Sequence, residues 1–167
     1  MQFKSFRNLF QWLLAEGYSI EERALKTFPE VLKKVHSPDL KAAISTHIAE
    51  IKNHMASMNE VIKKEKIEIS KKPRCPVAYV FDELENHIHD NDSSPLLDAS
   101  IIAHLQQIEH AEIALYGTLK AYSRQLNEPK LTDWLKDVVK EEVRADTIFS
   151  KIAQGEDFQS GINRKAA

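Results

Sequence analysis

Residues 101–119 read IIAHLQQIEHAEIALYGTL, and this stretch holds both the periodicity and the exception that decide the fold. Its apolar side chains recur every three or four positions, which is the spacing of one face of an α-helix. The inward positions are Ile101, Ile102, Leu105, Ile108, Ile113, Tyr116 and Leu119. At 100° per residue, Glu112 projects within about 10° of the centre of this apolar stripe. The stretch therefore predicts an amphipathic helix that turns a carboxylate toward the core.

The same periodicity predicts four long helices and one short one. The long helices cover about residues 4–35, 38–64, 97–125 and 130–153, and the short one about 77–88. Short breaks at Ser37-Pro38 and at Asn127-Glu128-Pro129 join the long helices in pairs, as two antiparallel hairpins. A longer link, which contains the helix-breaking Lys71-Lys72-Pro73, connects the two hairpins. Such a link can cross from one end of a bundle to the other, as in ferritin-like four-helix bundles. We predict one all-α, ferritin-like domain over residues 1–154 and a polar, mobile tail over 155–167.

Composition agrees with a helical globular domain. The chain has 167 residues, of which 43% are hydrophobic, and only 4 are glycine. With a net charge of −2, the chain lacks the excess of basic residues that binding to nucleic acid or to an anionic membrane requires, so we expect neither partner. The single cysteine excludes an internal disulfide and favours a reducing compartment. With no export signal and no long apolar run, we expect a cytoplasmic protein.

Two further glutamates project into the core of the predicted bundle. Glu21 lies within about 20° of the centre of the first stripe, and Glu142 lies about 25° from the centre of the last. Seventeen positions separate Glu21 from Pro38, and seventeen separate Glu112 from Pro129. Each proline is followed at 12 or 13 positions by another glutamate, Glu50 or Glu142. The two hairpins therefore bring four glutamates to one level of the core.

Other candidate ligands lie nearer the edges of the stripes. His47 and His54 flank Glu50 at three and four residues and share its helix face. Glu109 projects about 50° off the centre of its stripe, and Asp146 about 65° off its own. These side chains are within reach of the same level, so they join the candidate set.

Four carboxylates in a low-dielectric core would repel one another unless protons or cations neutralised them. Carboxylate and imidazole ligands suit two iron or manganese ions, and di-metal bundles use a Glu from two helices and Glu-x-x-His from the other two. That pattern is only partly met, because Asn53 and Ala145 occupy the histidine positions. The alternative is that the inward carboxylates pair with lysine or arginine from neighbouring helices.

Three other features have ordinary interpretations. His87, His89, Asp90 and Asp92 are expected in a polar turn, since Asp, Asn and Ser dominate turns. Cys75 has no nearby histidine in sequence and is interpreted as structural. Tyr116 lies near the carboxylate level, where core packing is the expected role and redox tuning the alternative.

At four places the sequence resembles the YciE/YciF-type ferritin-like proteins, a bacterial family linked to stress responses. The matching stretches are Tyr18–Arg23, Ser37–Ala43, Ile108–Leu119 and Glu141–Asp146. The chain departs from the family pattern at Ala49, where a glutamate is usual, and after Cys75, where a family glutamate is absent.

The resemblance implies a ferritin-like bundle, a dinuclear metal site and homodimers. Carried over by position, it supports Glu21, Glu50, Glu109, Glu112 and Glu142 as ligands, with Asp146 beside them. Three functions stay open: reduction of O2 or peroxide at two metal ions, metal binding or buffering without turnover, and a metal-free dimeric stress or adaptor protein.

Overall fold

The computed structural model describes residues 2–66, 75–155 and 160–167, and these residues form six helices. Helices α1, α2, α4 and α5 are the long ones, and α3 and α6 are short. Their bounds are α1 Phe6–Lys34, α2 Pro38–Glu65, α3 Ala78–Asp90, α4 Pro95–Gln125, α5 Pro129–Gln154 and α6 Ile162–Ala166. The predicted all-α bundle is therefore confirmed. Helix α1 runs through Pro29, as the predicted helix over about residues 4–35 does, and the proline, which lacks an N–H, removes one backbone hydrogen bond there.

Local sequence signals define where the long helices begin. Ser5, Ser37 and Ser94 are N-caps, and each side-chain oxygen accepts a hydrogen bond from a backbone N–H of the first turn. Helices α2, α4 and α5 each carry proline at the start, where the missing N–H removes no intrahelical bond.

The four long helices form a closed ring of contacts, in which α1 packs on α2 and α4, and α5 packs on α2 and α4. At one end, buried Asp98 at the start of α4 accepts the backbone N–H groups of His36 and Ser37 at 2.8 and 2.7 Å. At the other end, Arg7 bridges Glu65 and Glu128. The end of α2 and the start of α4 therefore lie at opposite ends of the bundle, and α3, in the described part of the crossover, packs on α1 and α4. Lys71-Lys72-Pro73 lies outside the described residues.

The crossover helix α3 is longer than predicted. It reaches Asp90, so His87 and His89 are helical, and only residues 91–94 link it to α4. Its apolar stripe explains the extension, because Phe81, Leu84 and Ile88 are all buried against the bundle. His87 is also held by Ser100 of α4, with its Nδ1 2.6 Å from the hydroxyl oxygen.

Part of the predicted polar tail packs on the bundle, which differs from the expectation of a mobile segment. Helix α6 contacts α4 and α5, and Ile162 is only 3% exposed. Gly161 makes this docking possible: a Cβ there would lie 2.3 Å from the carbonyl oxygen of Ala153. The tail's single isoleucine and a close backbone approach thus anchor it, although most of its residues are polar. Residues 156–159 lie outside the described part of the chain.

The apolar core is divided into two clusters by a polar layer. One cluster includes Phe28, Ile44 and Leu105, and the other includes Phe10, Met58 and Leu135. The change from one cluster to the other falls near the middle of each long helix, and buried polar side chains lie there. No described helix is long and apolar enough to cross a membrane.

Candidate metal centre

Four buried glutamates form the acidic part of the polar layer. Glu21 comes from α1, Glu109 and Glu112 from α4, and Glu142 from α5. Each has almost no solvent exposure. They occupy helical positions that are filled by leucine, isoleucine or phenylalanine one or two turns away. The burial of Glu21, Glu112 and Glu142 confirms that these three face the core, whereas the fourth glutamate of the layer is Glu109 and not the predicted Glu50.

Helix α2 contributes two buried histidines, His47 and His54. They lie seven residues apart, which is two helical turns, so both imidazoles face the same side. The rings pack against aromatic neighbours: His47 against Phe28 and Phe149, and His54 against Tyr116.

In the described residues, these six side chains assemble into two groups that share Glu142. The first group consists of His47, Glu109, Glu112 and Glu142. The second consists of Glu21, His54 and Glu142. Within each group, one donor atom per residue lies within 4.8 Å of every other. Donors at this spacing can converge on one ion per group, and the shared glutamate can contact both ions.

Most donor atoms of the cluster have no hydrogen-bond partner. Both carboxylate oxygens of Glu109, Glu112 and Glu142 are buried and unpartnered. The same holds for one oxygen of Glu21 and for both ring nitrogens of His47. Two of these atoms, Glu109 Oε1 and Glu142 Oε1, lie 2.9 Å from His47 Nε2 and 3.3 Å from His54 Nδ1, close enough for an ion pair but without hydrogen-bond geometry. Buried polar groups almost always have partners, since an unpaired one costs about 1–3 kcal/mol. So many in one place fit a cation-binding site, because oxygen and nitrogen donors of these types ligate metal ions.

The cluster perturbs the ionisation of its members. Burial, followed by the charges of Glu21 and Glu142, raises the pKa of Glu112 well above its usual value. Burial and the charges of Glu21 and Glu109 do the same for Glu142. Burial alone would lower the pKa of His47, but neighbouring carboxylates, with Glu109 the strongest, raise it to about 9. Without a cation, the cluster therefore retains protons at neutral pH.

Three hydrogen bonds hold the Glu21–His54 side of the cluster, and one of them joins His54 Nδ1 and Glu21 Oε1 at 3.1 Å. The Tyr116 hydroxyl donates to Glu21 Oε1 at 2.6 Å, and burial, followed by the charge of Glu21, raises the pKa of Tyr116 well above its usual value. On the other side of His54, Nε2 lies 2.7 Å from Glu141 Oε2. Sequence reasoning did not find Glu141, and it assigned Tyr116 mainly to packing. The signals were the tandem glutamates at 141–142 and a phenol near the carboxylate level.

Two of the eight candidate ligands lie outside both groups. Glu50, 15% exposed, forms an ion pair with Arg144, and its Oε2 is 3.6 Å from His47 Nδ1. Asp146, 21% exposed, lies 3.3 Å from His110 Nε2. Both had marginal projections, and basic side chains at the surface hold them there. The other six candidates come together: Glu21, His47, His54, Glu109, Glu112 and Glu142.

Known proteins match this chain over nearly its whole length. Residues 5–167 match the family model described as Domain of unknown function (DUF892). The chain is 26% identical over 167 residues to the protein YciF of Escherichia coli (strain K12), covering 99% of this chain and 98% of that protein.

Two solved structures share the fold. The crystal structure of the E. coli stress protein YciF matches with a TM-score of 0.81 and 25% identity, covering 89% of this chain and 94% of that one. The structure of YcfI from Rhodopseudomonas palustris matches with a TM-score of 0.78 and 28% identity, covering 90% and 96%. Because the family model spans nearly the whole chain, the chain belongs to the DUF892 family.

Proposed function

We propose that this DUF892 protein binds two divalent metal ions, iron or manganese, in the core of its helical bundle, and that it reduces O2 or peroxide in a stress response. The observation that carries the proposal is the set of buried, unpartnered donor atoms on six converging side chains. The stress response is carried over from the relative YciF, which is described as a stress protein.

The ligands divide between the two ions as the geometry groups them. His47, Glu109 and Glu112 would hold one ion, which we call the His47 site. Glu21 and His54 would hold the other, which we call the His54 site. Glu142 belongs to both. Two divalent cations would balance the four carboxylates and remove the repulsion that raises the pKa values of Glu112 and Glu142.

The donor types argue for the class of metal. The described cluster contains carboxylate and imidazole donors and no thiolate, which suits iron or manganese better than copper(I) or a structural zinc site. When bound as divalent ions, such a pair would supply two electrons, one from each ion, which with two protons reduce one peroxide to two waters or one O2 to peroxide. The protein side chains exclude bulk water, since apolar clusters lie on both sides of the polar layer. Tyr116 holds its hydroxyl proton toward Glu21 Oε1 and fixes that carboxylate in place.

Metal content tests the proposal directly. The protein is purified without chelator, reconstituted anaerobically with Fe²⁺ or Mn²⁺ and desalted. The number of metal ions bound per chain is then measured by inductively coupled plasma mass spectrometry. We expect two ions per wild-type chain and a clear loss in Glu112→Gln and Glu142→Gln, which remove a charged ligand without changing side-chain size. Asp137→Asn is the matched control, because Asp137 is an exposed carboxylate on α5 that pairs with Lys140. A wild-type chain that holds no metal after reconstitution contradicts the proposal.

Peroxide consumption by the loaded protein separates turnover from storage. Consumption that depends on the loaded metal supports reduction at the site, whereas tight binding without consumption supports metal buffering. Light scattering during size-exclusion chromatography tests the accompanying proposal of a homodimer.

A metal-free role is the second candidate, and a specific contact favours it. His47 Nε2 lies 2.9 Å from Glu109 Oε1, and the pKa of His47 is about 9. Two imidazolium groups and two protonated glutamates would leave the cluster neutral without metal. In that case the bundle would be a stress or adaptor protein, and Mn²⁺ would not raise its melting temperature.

A further inference from the structure

We propose that Glu141 is a positioning residue for the His54 site: it holds the Nε2–H of His54 and so turns the Nδ1 lone pair toward the core. The inference deepens the proposed metal function and rests on it. Glu141 belongs to neither candidate ligand group, and at 42% exposure it is a surface side chain.

Helix geometry places Glu141 where this role requires. Adjacent residues on a helix point about 100° apart, so Glu142 can face the core while Glu141 faces the seam between α5 and α2. His54 lies on α2 across this seam and is buried. Its Nε2 is 2.7 Å from Glu141 Oε2, a short and charge-assisted contact. The imidazole therefore has one edge toward the surface and the other toward the metal cluster.

The chemistry of the ring determines what this contact does. A neutral imidazole carries one N–H and one lone pair, and an ionised carboxylate can only accept a hydrogen bond. Glu141 therefore favours the tautomer with the proton on Nε2, which leaves Nδ1 free to bind metal. Nδ1 faces the cluster, where it is hydrogen-bonded to Glu21 Oε1 at 3.1 Å and lies 3.3 Å from Glu142 Oε1, and a bound ion would replace the hydrogen bond to Glu21. A carboxylate behind a histidine ligand commonly fixes its tautomer and orientation in metal sites.

His47 provides an internal contrast. Neither of its ring nitrogens has a partner with hydrogen-bond geometry, and the 2.9 Å contact of Nε2 is to Glu109, a member of the cluster rather than an outer carboxylate. The nearest outer carboxylate, Glu50, is 3.6 Å from Nδ1 and is engaged by Arg144. No equivalent of Glu141 therefore orients His47 among the described residues. Loss of Glu141 should weaken the His54 site and leave the His47 site unchanged.

Binding measurements on three variants test the proposal. Mn²⁺ affinity is measured by competition with a fluorescent chelator for wild type, Glu141→Ala, Glu141→Gln and the control Asp137→Ala. We expect Glu141→Ala to bind one of its two ions about 10–100-fold more weakly. Glu141→Gln should stay within a few-fold of wild type, because its amide oxygen still accepts the Nε2–H. Asp137→Ala, which removes an exposed carboxylate of the same helix, should match wild type.

Nitrogen NMR on the Zn²⁺-loaded protein supplies a readout that general destabilisation would not give. In wild type and Glu141→Gln, His54 should show a protonated Nε2 and a metal-bound Nδ1. In Glu141→Ala the defined Nε2–H should be lost, while the His47 signals stay unchanged. Circular dichroism of the metal-free variants checks that the bundle is intact.

Two results would overturn the role of Glu141 while leaving the metal site standing. One is unchanged affinity for both ions in Glu141→Ala. The other is an equal loss in Glu141→Gln and Glu141→Ala, which would mean that charge acts rather than the hydrogen bond. A wild-type chain that binds no Mn²⁺ is a separate result, and it overturns the proposed function itself.

Discussion

The substitution Glu142→Gln should change thermal stability in opposite directions with and without metal. Glu142 is the residue common to both ligand groups, and it is fully buried. Glutamine keeps the size of the side chain and removes the charge. Without metal, the change relieves repulsion among the carboxylates; with metal, it removes a ligand of both ions.

The magnitude in the metal-free protein follows from the spacing. The donor atoms of each group lie within 4.8 Å of one another, and two carboxylate charges at that limit, with an effective dielectric constant of about 20, repel by about 3.5 kcal/mol. Proton uptake limits this cost, because burial and the charges of Glu21 and Glu109 already raise the pKa of Glu142. We therefore expect a net gain of about 1–2 kcal/mol at pH 8 after protonation is taken into account. For a chain of this size, that gain raises the melting temperature by about 2–8 °C.

With metal bound, wild type should melt at a higher temperature than Glu142→Gln. An ion present at 100 times its dissociation constant stabilises the wild-type fold by about 2.7 kcal/mol per site, and the variant forgoes most of this at both sites. Differential scanning calorimetry at pH 8, with EDTA-treated protein and then with Mn²⁺, measures both states. The exposed-site variant Asp137→Asn should follow wild type in each. The reasoning is refuted if Glu142→Gln melts below wild type without metal, or if Mn²⁺ stabilises both proteins equally.

Three further predictions concern pH, stoichiometry and the docked C-terminal helix. The pKa of His47 is raised from 6.5 to about 9, so its contribution to stability is full below pH 6.5 and is lost as the pH rises through 9. The melting temperature of the metal-free protein should therefore fall between pH 6.5 and 9, and that of the Mn²⁺-loaded protein should fall less. His54→Ala should leave one ion per chain after Mn²⁺ loading, because the His47 site keeps its four donors, and zero or two ions would argue against separate groups. Gly161→Ala should lower the unfolding free energy by more than about 1 kcal/mol in urea titration, because its Cβ would overlap the backbone of α5. Gly117→Ala, whose Cβ meets nothing within 4 Å, should raise it by up to about 1 kcal/mol.

Much of the fold follows from sequence because helical periodicity is a local property. The apolar stripes locate all four long helices to within a few residues, and short proline-containing links define the hairpins. Glu21, Glu112 and Glu142 project near the centres of their stripes, so any packing of those stripes buries them. For these residues, the direction of the side chain is settled before the tertiary structure forms.

For residues at the margins of the apolar stripes, neighbouring helices decide whether the side chain points into the core or toward the surface. Glu50 and Asp146 lie at such margins, where Glu50 forms an ion pair with Arg144 and Asp146 contacts His110. Glu109 is marginal too, yet the packing of α4 buries it 2.9 Å from His47. A projection of one helix has no information about which side chain the adjacent helix presents. The six converging ligands could therefore be separated from the other two only in the folded bundle.

The chain itself determined four helices, two hairpins and three inward carboxylates, since the 3.6-residue period and the helix caps act within each segment. Tertiary structure alone decided which side chains form the two candidate ligand groups, the contact of Glu141 with His54 and the docking of α6 through Gly161. The reason is physical: a side chain at a helix margin has two nearly equal directions, and the charge or space offered by the next helix selects between them.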